Sequence, residues 1–318
     1  MKKVILLLSI SFTIIFARVL EPSLVIDANE SVKDMILGPN STIIMGTDGG
    51  KLKVFDYEKK EFTKVIQLPK IKDFMGDIID TRVSSVDYYH GKILMLSDSG
   101  VGGYSDVRVH ENNKTVDIFT ENDKLPLVEA KFIDDNNILV AFLSNVVALY
   151  NLKSKKFLYK QQLNQSKFSD LAINPQRDLA ALSSESGEVV VIEPKSGKIV
   201  KRLNGVNLDN VYKVDIKKDI VVTAGQDRRA GWYNIKSGKK DYIQASFLVY
   251  AAALNPEATH AAFALDENNN ITIIDLNTKS KRYILKGQKS TLNTIIFKDN
   301  NTVFAASDDN FVNMWKLK

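Results

Sequence analysis

The stretch "EVVVIEPKSGKIVKRL", Glu188 to Leu203, decides the architecture. Val189 to Ile192 is a short β-branched run with no polar break. Pro194 to Lys198 is a turn built from Pro, Ser and Gly, and Ile199 to Leu203 is a second extended run. Strand, tight polar turn, strand is the pattern of a β-hairpin. The same pattern recurs in "KLKVFDYEKKEF" (51–62), "DVRVHENNKTV" (106–116), "VVALYNLKSKKF" (146–157), "RAGWYNIKSGKK" (229–240) and "ITIIDLNTKSKR" (271–282). A seventh copy, "FVNMWKLK" (311–318), carries the first strand alone.

Two more β-rich runs precede each copy. Nearest is a set such as "STIIMG", "KILMLS" and "IVVTAG"; before it lies a set starting at Val32, Val83, Val128, Phe168, Val211, Val249 and Leu292. Successive starts are 38 to 51 residues apart, which clusters near the roughly 40–45 residues of a four-stranded propeller blade. Seven such units with no helical period predict an all-β, seven-bladed β-propeller; an array of β-sandwiches would not keep so fixed a phase. The seventh unit ends before its fourth strand. "SLVIDA", Ser23 to Ala28, is the one strand left over, and it is expected to pair along Phe311 to Leu317 and close the ring.

The third strand of each unit ends in a dipeptide that resembles the signature of the WD40-repeat family: Phe55-Asp56, His110-Glu111, Tyr150-Asn151, Ile192-Glu193, Tyr233-Asn234, Ile274-Asp275 and Trp315-Lys316. Gly287-Gln288 resembles the family's Gly-His start, with Gln in place of His. The tight-turn Asp of the family is matched at Asp48, Asp227 and Asp309. The resemblance spans nearly the whole chain after residue 17 and implies the fold more than any activity. An exported, Cys-free, Lys- and Asn-rich degenerate WD protein of this length is also similar to accessory proteins encoded with periplasmic nitrate reductase. That similarity implies nitrate reductase subunits, or their assembly factors, as partners.

The chain has 318 residues, 44% of them hydrophobic, a net charge of +5 and no cysteine. Without cysteine there is no disulfide, thiolate nucleophile, iron–sulfur cluster or covalently attached c-type haem. Lys and Arg are scattered among Asp and Glu, which reads as a solvated surface, with no nucleic-acid partner expected. "MKKVILLLSISFTIIFA", residues 1–17, has two lysines, an apolar run from Val4 to Phe16 and a small residue at a cleavage point. It reads as a signal peptide for export to the periplasm, an uncleaved anchor being the other reading. Residues 18–318 are then the propeller, a monomer with no stable membrane insertion after signal removal.

Catalytic and metal-binding patterns are missing. His90, His110 and His260 lie at no metal-ligand spacing. His110 takes the aromatic slot of a WD dipeptide, and His90 and His260 read as surface loop residues. "SDSGVGGYSD" (97–106) is Gly-rich, but a strand follows it where a phosphate loop would open a helix; it reads as an elongated hairpin. No cofactor or metal is expected.

Two excursions break the compact spacing: "PKIKDFMGDIIDT", Pro69 to Thr81, and the hairpin Ser97 to Asp106. Both belong to the loops that emerge on the upper face of such a propeller. The first sets Phe74 and Met75 beside Lys70 and Lys72, and the second carries Tyr104. Apolar side chains beside charge suit a protein interface. Arg82 and Arg228 are further candidates on that rim, Arg228 because a guanidinium clamps carboxylates or phosphates. The expected function is that of a non-enzymatic periplasmic scaffold. A propeller hydrolase, a quinone-dependent dehydrogenase, and a ligand-sensing or envelope-organising module stay open as alternatives. Enzymes of that kind use carboxylates and histidines lining the central channel, and few candidates for such a lining are visible.

Overall fold

The computed structural model describes residues 17–317. The predicted signal peptide lies outside the described residues except for Ala17. The fold is a seven-bladed β-propeller, consistent with a WD40-like family. Each blade is an antiparallel sheet whose strands, a to d, run from the axis outward. The inner a strands touch in sequence, and that of blade 7 (Leu292–Asp299) touches that of blade 1 (Val32–Leu37), so the ring is closed.

The core is partitioned between blades. Seven apolar clusters fill the seven clefts, each drawing on two neighbouring sheets. Ile44, Leu52, Val86 and Met95 join blades 1 and 2, for example, and Ile273, Ile295, Val303 and Trp315 join blades 6 and 7. A single blade cannot bury both its faces alone, so stability comes from stacking neighbours. This is why strands b and c read as continuous apolar runs: Ala180–Ser184 and Val189–Ile192 are buried at every residue.

The ring closes through the N-terminal segment. Leu24–Asp27 pairs antiparallel with Phe311–Lys316, in register from Leu24 opposite Met314 to Asp27 opposite Phe311. The Ser23 and Ala28 amides extend the ladder to the carbonyls of Met314 and Asn310 at 2.7 and 2.8 Å. The pairing stops at Met314 instead of running to Leu317, because the chain before Ser23 turns away at Pro22, which has no amide to donate. It crosses to the neighbouring blade, where Arg18–Leu20 forms a fifth, parallel strand on Lys281–Leu285. Gly287 permits the crossing. Its φ is +108°, and a Cβ there would lie 2.7 Å from the Pro22 ring.

Three sequence expectations change in detail. Blade 3 begins at Leu127, one residue before the expected Val128, and the inner strand of blade 6 is only Ala252–Leu254. His260 opens strand b of blade 6 and is half-buried, not a loop residue. In blade 7, Gln288 takes the part of the missing His: it accepts a hydrogen bond from Ser307 Oγ at 2.9 Å and donates to the Ala305 carbonyl at 2.8 Å. Trp315 Nε1 donates to the Lys286 carbonyl at 2.9 Å. The last blade thus keeps the link to Ser307 with an amide in place of the imidazole, while Trp315 bonds a backbone carbonyl and Asp309 accepts the Phe311 amide.

Candidate functional site

The first upper-face excursion folds into its own hairpin. Ile71–Lys72 pairs with Ile78–Ile79, and the Asp73 carboxylate accepts the amides of Met75 and Asp77, each at 2.9 Å. That carboxylate fixes a tight tip and leaves the apolar side chains outside it. Phe74 is 93% exposed and Met75 74%. Lys70 pairs with Asp80 at 3.4 Å, while Lys72 is exposed. The hairpin leans on the turn of the second excursion: a Cβ on Gly100, whose φ is +81°, would sit 2.3 Å from the Lys72 carbonyl oxygen. Only glycine lets the two loops meet.

Between them lies a groove of about 470 Å³, lined by Ile71, Ile79, Val101, Tyr104 and Leu143 among others. Arg82 and Asp98, 3.4 Å apart, mark its polar side. Lys70, Lys72, Phe74, Met75, Arg82 and Tyr104 thus form one surface above blades 1 and 2. Arg228 does not join it. It sits on the b–c turn of blade 5, exposed at φ +63°, with blades 3 and 4 intervening. Its neighbour Arg229 is held by the Val206 carbonyl and lies over the Tyr242 ring.

The central channel is far more charged than the sequence reading allowed, which corrects that expectation. Its cavity of about 340 Å³ is lined by Asp34, Asp87, Glu129, Asp170 and Asp215 together with Lys131, Arg177, Lys213 and Lys217. The carboxylates come from two alternate positions of strand a in blades 1 to 5. Each accepts a backbone amide from strand a of the next blade: Asp34 from Val86, Asp87 from Phe132, Glu129 from Leu171, Asp170 from Val214 and Asp215 from Leu254, all between 2.7 and 2.9 Å. In blades 1, 3 and 4 a β-bulge directly precedes Asp34, Glu129 and Asp170 and turns them toward the next strand. Blade 7 does the same job with Asn293, whose amide donates to the Val32 carbonyl of blade 1 at 2.9 Å.

The cations complete the network. Lys131 lies 3.2 Å from both Asp34 and Glu129, and Lys213 lies 2.7 Å from Asp170. Arg177, from the a–b turn of blade 4, reaches across the lower mouth and grips both oxygens of Asp87 at 2.7 and 2.9 Å. Burial pushes the Glu129 carboxyl up to about 7, against the pull of Lys131. Burial alone would lower Lys131, but Asp34 and Glu129 more than offset it and hold it charged. Every channel carboxylate is occupied by an amide, so the ring of charge serves first as a set of staples between blades.

The histidines stay apart. His90 stacks on Tyr89 and lies 3.2 Å from Asp135, His110 contacts Thr115 at 2.9 Å, and His260 contacts Thr259 at 2.9 Å. Among the described residues no group of three or more His, Asp or Glu side chains is placed to hold a metal ion, and no helix is long and apolar enough to cross a membrane. Compared with models of protein families and with curated proteins, the sequence matches none.

Proposed function

We propose that this protein is a periplasmic, non-enzymatic scaffold that docks a partner protein on the surface above blades 1 and 2. The observation that carries the reading is the Phe74–Met75 tip: two large apolar side chains held in solvent by the Asp73 turn, beside an apolar groove. A fold that needed neither would bury or replace them, and anchors of this kind dominate protein interfaces. The partner is a subunit or assembly factor of the periplasmic nitrate reductase system, a reading supported by the resemblance to the accessory protein NapL and by the export-type N-terminus.

The docking claim and the nitrate claim are tested separately. Crosslinking in the periplasm should capture a partner with the native chain and lose it with Phe74→Ala/Met75→Ala. The double variant should keep its melting temperature, because exposed substitutions shift stability by less than about 0.5 kcal/mol. Capture undiminished by the variant would end the docking reading. Deleting the gene should lower periplasmic nitrate reductase activity; unchanged activity, cofactor content and subunit abundance would remove the nitrate part alone.

A further inference from the structure

The c–d turns run along the outer rim of the lower face, opposite the Phe74 surface. In blades 1 and 2 they are balanced, with Glu58 and Glu61 beside Lys59 and Lys60, and Glu111 beside Lys114. In blades 3 to 6 they are strongly basic. The sequences read "KSKK" at 153–156, "KSGK" at 195–198, "KSGKK" at 236–240 and "KSKR" at 279–282. Carboxylates near this arc hold some of its cations: Asp134 lies near Lys195, Glu193 near Lys198, Asp219 near Lys236, Asp241 near Lys279 and Asp275 near Arg282. Lys153, Lys155, Lys156, Lys239 and Lys281 are exposed and form no ion pair among the described residues. The arc spans four consecutive blades and keeps an excess of exposed ammonium groups.

An independent observation falls on the same rim. The strand Arg18–Leu20 runs parallel to Lys281–Leu285, with Arg18 opposite Tyr283. Residue 17 therefore leaves the fold at the Lys281 end, on the basic edge of blade 6. The sixteen residues before it in the sequence include Lys2, Lys3 and the apolar run Val4 to Phe16. Ala17, directly after that stretch, therefore stands at the basic edge of the molecule.

We propose that the lower rim of blades 3 to 6 rests on an anionic lipid surface, with the lysines of the c–d turns against the headgroups. The chemistry fits a membrane better than a compact anion. The ammonium groups are exposed, flexible and spread along an arc, with no buried donor or pocket among them, and a sheet of phosphates meets such an arc without a fixed register. A lysine beside an anionic leaflet contributes about fivefold in partition, so several together bind measurably. The arrangement turns the Phe74 surface away from the bilayer.

The test uses the mature chain, beginning at Arg18, and sedimentation with vesicles of phosphatidylcholine alone or with about one third phosphatidylglycerol. This chain lacks Lys2 and Lys3, so the ratio of the two partitions reads the arc. The native chain should prefer the anionic vesicles by roughly tenfold or more, and about 0.5 M salt should remove the preference. Replacing Lys153, Lys155, Lys239 and Lys281 by Gln should reduce the ratio to near one. Lys155→Gly is the second variant. The position has a left-handed φ of 53°, and Gly197 and Gly238 stand there in blades 4 and 5, so the change cannot strain the turn. It too should lower the ratio. Equal partition of the native chain onto both vesicles would overturn the proposal, as would a preference that survives the four-lysine variant. Retention on polyglutamate without any vesicle preference would also overturn it, and would assign the arc to an acidic protein.

Discussion

Arg177 ties the lower mouth of the channel together through four hydrogen bonds. It stands at φ +56° in the a–b turn of blade 4, and its guanidinium joins Asp87 of blade 2 to the carbonyls of Phe132 and Tyr88. Removing it leaves Asp87 with the Phe132 amide and only the more distant Lys131 as countercharge. Breaking a buried pair from one side costs about 3–5 kcal/mol. Arg177→Ala should lose roughly that in urea denaturation, and Arg177→Lys should restore only part, since an ammonium cannot hold both oxygens in a planar fork. Glu129 makes a pH prediction. Its carboxyl titrates near 7 in the fold against an ordinary 4.5, so between those values the folded chain holds a proton that the unfolded chain has lost. Its contribution to stability is full below about pH 4.5 and is lost as pH rises through about 7. Glu129→Gln removes that titration. The melting temperature of the variant relative to the native chain should therefore climb from pH 5 to pH 8; a constant difference would contradict the assignment.

At the scale of the element, the inner strands show what a linear reading misses. "VKDMIL" and "FSDLAI" carry Asp34 and Asp170 at the same position, and "VYKVDI" carries Asp215 two residues later. The period of two that puts these on the channel side was present in the sequence. Starting the third unit at Val128 instead of Leu127 shifted Glu129 off that position, and a one-residue slip sends a strand's side chains to the opposite face. The N-terminal crossing is a second case. Gly287 looked like a family signature, yet its approach to Pro22 exists only once Arg18–Leu20 lies on blade 6 and Leu24–Asp27 on blade 7. Gly287→Ala should destabilise the chain by about 1–3 kcal/mol through positive φ and contact with the Pro22 ring. Shortening the chain to begin at Ser23 removes that contact, so the same substitution should then cost less, and a double-mutant comparison of melting temperatures checks it.

At the scale of the whole molecule, the chain's two ends make one blade. Ile26 and Ala28 are fully buried in the cleft between blades 7 and 1, against Phe304, Val312 and Met314. A chain beginning at Asn29 would open that cleft and expose the edge of Phe311–Lys316. It should melt far lower and aggregate, whereas a chain beginning at Arg18 should melt like the full one; equal melting of the two would defeat closure. Seven units, their phase and the leftover strand were all legible, because turn residues and apolar alternation are local properties of the chain. The Phe74–Met75 tip was legible as a break in the spacing. The basic rim was not. Its lysines sit in turns some forty residues apart, scattered among acids along the chain, and only the ring sets them side by side.

The sequence by itself determined the blade, the number of blades and the strand that closes them: the first two rest on turns and apolar alternation between residues close in the repeat, and the third on the one strand that the count leaves over. Tertiary structure alone decided which carboxylate reaches which neighbouring amide, that Arg177 spans blades 2 to 4, that Arg18–Leu20 pairs in parallel on blade 6, and which lysines share an edge. Those relations depend on the rotation from one blade to the next, and no local pattern of residues encodes an angle that is fixed only when the last blade meets the first.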